Sequence, residues 1–151
     1  DALSAVHRQL YESHDLAVFD VGALAETLAT EIVGASGRND ILIARDVSCV
    51  PVPSTMASPL GLILNEVITN AVKHGFADGR GGTLTVFATS NGISGKIGVS
   101  DDGPGFGTQP PSGGLGSVLI EKLLRQIGAN VTWEGAGPGS RVTIVFPVSS
   151  E

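Results

Sequence analysis

The chain has 151 residues, of which 42% are hydrophobic and 16% charged, a length and balance that fit one globular domain with a sizeable core. Fifteen acidic against nine basic side chains give a formal net charge of -6 and a pI near 4.9, so no basic field exists to displace phosphate counterions and nucleic-acid binding is not expected. The single cysteine, Cys49, rules out an internal disulfide and a cysteine-based zinc cluster, and no apolar run approaches the roughly 18 residues of a membrane span.

In chain order, residues 1–13 place Leu3, Val6, Leu10 and Tyr11 on one helical stripe that requires a partner helix. A second helix is predicted with Asp20 as N-cap, running through Leu24, Leu28 and Ile32 to Gly34, where glycine can end it. Residues 36–40 read as loop and 41–44 as a strand. Pro51 and Pro53 are expected to break the chain after that strand, before Ser54 caps a short turn ahead of Pro59.

A long helix is predicted over residues 59–74. Leu60, Ile63, Leu64, Val67 and Ala71 recur with helical period and feed a core, while Glu66, Asn70 and Lys73, at i, i+4 and i+7, line one flank. A carboxylate, a neutral amide and a cation in one row read as a site edge, set against the plainer reading of a polar helix flank. Two β-rich runs, 83–88 and 96–100, flank the Asn91-Gly92 turn signal and form a hairpin that delivers Asp101 at its end.

A carboxylate at a strand end can accept a hydrogen bond from an exocyclic amine, and adenine N6 is the common biological partner presenting one. Asp101 is the residue placed for this, while Asp102 is expected to face solvent. Gly103 and Gly105 allow positive φ and close backbone approach to a ligand, with Pro104 stiffening the turn. Gly114, Leu115 and Gly116 then precede a helix over residues 117–127, and their N–H groups with the helix N-terminus can receive phosphate oxygens. Strands over 130–133 and 141–146 close the pattern. The predicted fold class is α+β: helices on one face of a mostly antiparallel sheet, a two-layer sandwich.

The ordered set Glu66-x-x-x-Asn70-x-x-Lys73-His74, Asp101-x-Gly103-x-Gly105, Gly114-Leu115-Gly116 and Gly139-Ser140-Arg141-Val142 resembles the ATP-binding domain of sensor histidine kinases. That domain has the Bergerat-type fold shared with gyrase, MutL and the ninety-kilodalton heat-shock chaperone, and the likeness covers residues 41–148. Residues 6–16 look like the second arm of the dimerisation hairpin in the subgroup related to the HWE kinases. The subgroup's His-Arg-x-Lys-Asn motif is absent, since His7-Arg8 is followed by Gln9-Leu10-Tyr11, so His7 and His14 are read as surface or interface residues. The expected division is therefore 1–18 for the partial hairpin and 19–151 for the catalytic domain. The chain opens at Asp1 without a methionine, as a fragment or processed product would.

The resemblance also implies a role for each site residue. Asn70 ligates Mg²⁺ bridging the ATP phosphates, Glu66 acts as general base or orients the attacking group, and Lys73 helps neutralise phosphate charge. His74 either contacts phosphate or forms a hydrogen-bonded helix end. Asp101 reads adenine, and Ser140, where relatives commonly carry threonine, helps it hold an adenine-bound water. The resemblance further implies transfer of the γ-phosphoryl group to a histidine outside this chain and onward to a response regulator, and a homodimeric parent protein. The single cysteine points to a cytoplasmic, reducing location, and with no long apolar run no membrane contact by this piece is expected. By itself the piece is not expected to autophosphorylate. The segment 107–112, a short lid with two prolines and no cation, departs from the pattern and implies modest affinity, and Ser117 stands where relatives often carry a bulky apolar residue. Two rival readings are an anti-sigma-type serine kinase and a noncatalytic histidine-phosphotransfer-like module of the same fold. A P-loop enzyme is excluded, because no Gly-x-x-x-x-Gly-Lys-Ser/Thr run is present.

Overall fold

The computed structural model describes residues 18–76, 79–103, 118–135 and 139–148. The expected opening helix, with its stripe Leu3, Val6 and Leu10, lies outside the described residues. So do Gly105, Gly114, Leu115, Gly116 and the segment 107–112.

Strand β1 (Val18–Asp20) leads into helix α1 (Val21–Ala35). Asp20 caps it as expected: Oδ1 accepts from the N–H groups of Gly22 at 2.9 Å and Ala23 at 3.3 Å, and also from Val50 N–H at 3.0 Å. The helix does not stop at Gly34. It runs to Ala35, the Ser36 hydroxyl donates to the Val33 carbonyl at 2.6 Å, and Gly37 supplies the positive φ of 75°.

Strand β2 spans Ile41–Val47, three residues beyond the expected 41–44. It is an edge strand, where Arg45 and Asp46 are tolerated because one side of the strand has no neighbour. Pro51 and Pro53 do not simply interrupt the chain. They frame strand β3 (Pro51–Pro53), which pairs antiparallel with β1 and sets buried Val52 against buried Phe19. Proline fits there because the ladder has only two strands, leaving one edge of β3 without a partner strand. A 3-10 turn (Ser54–Met56) comes next without a side-chain cap, so Ser54 contributes its carbonyl, not its hydroxyl.

Helix α2 covers Ala57–Gly75, with Pro59 in its first turn, where a missing N–H is harmless. Leu60, Ile63, Leu64 and Val67 are fully buried as expected, but so is Ile68, and Val72 is nearly so. The wider buried face results from its central position: α2 packs against α1, against strand β5 (Ser94–Asp101) and against helix α3 (Val118–Ile127).

Strands β4 (Gly82–Ser90), β5 (Ser94–Asp101), β6 (Asn130–Glu134) and β7 (Ser140–Pro147) join β2 in a five-stranded sheet of order β2-β4-β5-β7-β6. Only β2 and β4 run parallel; the other pairs are antiparallel. Alternation sends Leu84, Val86, Ile97, Val99, Val142 and Ile144 toward the helices. On the opposite face Phe87 stays buried under the Arg141 guanidinium, 3.9 Å from the ring centroid, and across Gly98. Among the described residues no helix is long and apolar enough to cross a membrane.

Candidate functional site

Among the described residues, Asp101 is the single charged side chain in the buried class. It is the last residue of β5, opposite Leu84 on β4 and Ser140 on β7. A buried carboxylate is costly unless its oxygens are partnered, and both of these are. Ser140 Oγ donates to Oδ2 at 2.6 Å, and Gly103 N–H donates to Oδ1 at 3.0 Å. A carboxylate oxygen accepts more than one hydrogen bond, so this arrangement fixes the group without exhausting its acceptor capacity.

Three backbone segments converge on it. The end of α2 touches the carboxylate: a Cβ on Gly75 would sit 2.6 Å from Asp101 Cγ and 2.7 Å from Oδ2. A Cβ on Gly103 would collide with the Gly75 carbonyl. Directly before β7, Gly139 N–H donates to the Gly103 carbonyl at 2.7 Å, with Gly139 at φ 79°. Gly103 itself does not adopt positive φ, contrary to the expectation; it is required for close approach, and the approach seen is to Gly75. Asp102 is exposed as expected, yet its Oδ1 accepts from Thr83 N–H at 3.0 Å and so anchors the start of β4.

On α2, Glu66 and Asn70 are half-buried on the flank of the core-facing stripe, whereas Lys73 and His74 are exposed in the last turn. Two basic residues there suit the negative end of the helix dipole. The helix thus leads from the half-buried carboxylate and amide to the cationic turn directly before Gly75, which meets Asp101. The roles of Gly75 and Gly139 in closing this junction were not foreseen, although both stand inside or beside the quoted motifs. Their signal was the absence of a side chain where a neighbouring backbone must come close.

No group of three or more His, Cys, Asp or Glu able to hold a metal occurs among the described residues. A lone amide oxygen from Asn70 fits an ion such as magnesium, which takes few protein ligands and fills its shell with water and substrate phosphate. It would not make a closed structural metal site.

A protein-family model described as a histidine kinase-like ATPase domain matches residues 38–146. The chain is 30% identical to Blue-light-activated histidine kinase 2 of Erythrobacter litoralis (strain HTCC2594) over 154 residues, covering 94% of this chain and 44% of that protein. It therefore spans less than half the length of this curated relative. Among solved structures, the Erythrobacter litoralis EL346 blue-light activated histidine kinase is similar with a TM-score of 0.83 and 28% identity, over 99% of this chain and 47% of that one. The histidine kinase domain of the same protein gives a TM-score of 0.81 at 28% identity, covering 97% and 71%. The mycobacterial sensor histidine kinase MprB, at 19% identity and a TM-score of 0.66 over 86% and 97% of the two chains, shares the fold. With a matching model over most of its length and the expected helix, hairpin and closing strands around Asp101, the chain belongs to the histidine kinase-like ATPase domain family.

Proposed function

We propose that this chain is the catalytic, ATP-binding part of a sensor histidine kinase, with residues 19–151 as the catalytic domain and residues 1–18 as part of a dimerisation hairpin. The observation that carries the reading is the buried Asp101 carboxylate, held by Ser140 and Gly103 at the sheet end beside α2. An acceptor that is rigid, largely dry and still has free lone pairs suits the adenine N6 amine, and Ser140 can share a water with the base. Gly103, Gly105, Gly114, Leu115 and Gly116 belong to the nucleotide-binding loops in this reading.

The remaining groups take phosphate-side roles. Lys73 offsets phosphate charge, and His74 adds a contact there. Asn70 holds Mg²⁺, which when bound supplies charge neutralisation along the phosphates. Glu66 orients the attacking imidazole or accepts its proton. The bond from the γ-phosphorus to the bridging oxygen breaks, one from phosphorus to the histidine nitrogen forms, and ADP leaves. The acceptor histidine lies outside this chain, the phosphoryl group passes on to a response regulator, and the parent protein is a cytoplasmic homodimer. The chain alone does not autophosphorylate.

Calorimetry with ADP and ATP on Asp101→Asn and Asn70→Ala tests this. In asparagine the amide oxygen can still accept from Gly103 N–H while its NH2 donates to Ser140 Oγ, reversing that bond, so the side chain stays held but the charge and one acceptor oxygen are lost. Affinity should fall about thirtyfold, near 2 kcal/mol, with the fold retained. Asn70→Ala should lose mainly the magnesium dependence of binding. Unchanged affinity in both variants would favour the noncatalytic module.

A further inference from the structure

Arg38 lies between α1 and β2, outside every motif of the site. Its guanidinium nevertheless reaches the far end of α2. Nε and Nη2 grip the Asp40 carboxylate at 2.9 and 3.0 Å, Nη1 donates to the Phe76 carbonyl at 2.7 Å, and Nη2 donates to the Arg80 carbonyl at 3.1 Å. Asp40 continues the link through its backbone, because its carbonyl accepts from Gly82 N–H at 3.0 Å. A Cβ on Gly81 would lie 2.5 Å from that same carbonyl. Both ends of the connection from α2 to β4 are thereby tied to one Arg-Asp pair.

Phe76 directly follows Gly75, the residue packed on the Asp101 carboxylate, and the Phe76 carbonyl is one that the end of α2 leaves without a helical partner. Just beyond the connection, Thr83 N–H is held by Asp102. The hold on the Phe76 carbonyl therefore acts one residue from the packing of Gly75 on Asp101, at the end of the turn that carries Lys73 and His74. Arginine suits the task because its planar fork meets a carboxylate and two carbonyls in different directions at once, and it stays charged at every working pH. The hydrogen bonds from Arg38 hold the Asp40 carboxyl below its usual range.

We propose that Arg38, held in its fork by Asp40, is a positioning residue of the nucleotide site: it sets the last turn of α2 against Asp101 without touching nucleotide. This rests on the nucleotide reading given above. The test is ADP calorimetry on the full chain and on Arg38→Met, Arg38→Lys and Asp40→Asn, at a temperature where each is fully folded by circular dichroism. Arg38→Met should bind ADP about tenfold more weakly. Arg38→Lys should not restore affinity, since an ammonium cannot span the carboxylate and both carbonyls, and Asp40→Asn should show a smaller loss of about threefold. Equal affinity in folded Arg38→Met and the parent, with only a lower Tm, would reduce Arg38 to a structural clamp and overturn the proposal. If Arg38→Met does not fold, parental affinity in both Arg38→Lys and Asp40→Asn overturns it equally. A parent chain that binds no ADP is a separate result: it removes the nucleotide reading itself, and this inference with it.

Discussion

The two ends of the β4–β5 hairpin are held together by different means. At the turn, Asn91 Oδ1 accepts from Ile93 and Ser94 N–H at 2.9 and 2.8 Å, Ser90 Oγ accepts from Gly92 N–H at 3.1 Å, and Gly92 takes φ 89°. Those contacts fall within five consecutive residues. At the other end, Asp101 relies on Ser140, 39 residues away, on the packing of the adjacent Gly139, and on that of Gly75 from the end of α2. An open depression of about 210 Å³ lined by Thr89, Ser90, Asn91, Ser94 and Lys96 lies at the turn end, away from the buried carboxylate. Concavity and local order therefore mark one end of the hairpin, and long-range convergence on a buried charge marks the other. The second is the stronger sign of a site, because a buried charge is kept only where the whole fold supplies its partners.

Breaking the convergent end should have the largest effect. In Gly103→Ala the new methyl meets the Gly75 carbonyl, a backbone atom that cannot rotate away. The expected loss is about 3 kcal/mol, a fall in Tm of roughly 6–12 °C by thermal unfolding, with adenine-nucleotide binding reduced alongside. A wild-type Tm in this variant would mean that the junction is looser than the contacts imply. Ser140→Ala is gentler: it leaves Asp101 Oδ2 without its donor and should destabilise by about 1–3 kcal/mol, while Ser140→Thr, which keeps the hydroxyl, should restore most of that. Chemical denaturation of the pair separates the hydrogen bond from side-chain size. The smallest effect is expected at the turn. Gly92→Ala meets no neighbour within 4 Å and bears only the strain of its left-handed backbone, about 1–2 kcal/mol, and nucleotide affinity should not change. A loss of affinity there would erase the contrast between the two ends.

Much of the architecture was legible from residue order. Asp20 announced the start of α1 through its capping chemistry, the period of Leu60, Ile63, Leu64 and Val67 announced α2, and Asn91-Gly92 announced the hairpin, because each signal acts over one turn of chain. The sequence pattern also drew Asn70 and Asp101 into one expected site. It missed the strand pair around Phe19 and Val52, where two prolines masked a short ladder, and the full length of β2, whose charged residues are permitted only by an edge position. It was silent on Arg38, whose partners Phe76 and Arg80 lie 38 and 42 residues ahead and leave no local trace. Local propensity and periodicity thus determined which elements form, since their energetics are settled within a few residues. The burial of Asp101, the glycine contacts around it and the Arg38 clamp were decided only by tertiary packing, because each depends on atoms that become neighbours after the sheet and its helices have closed.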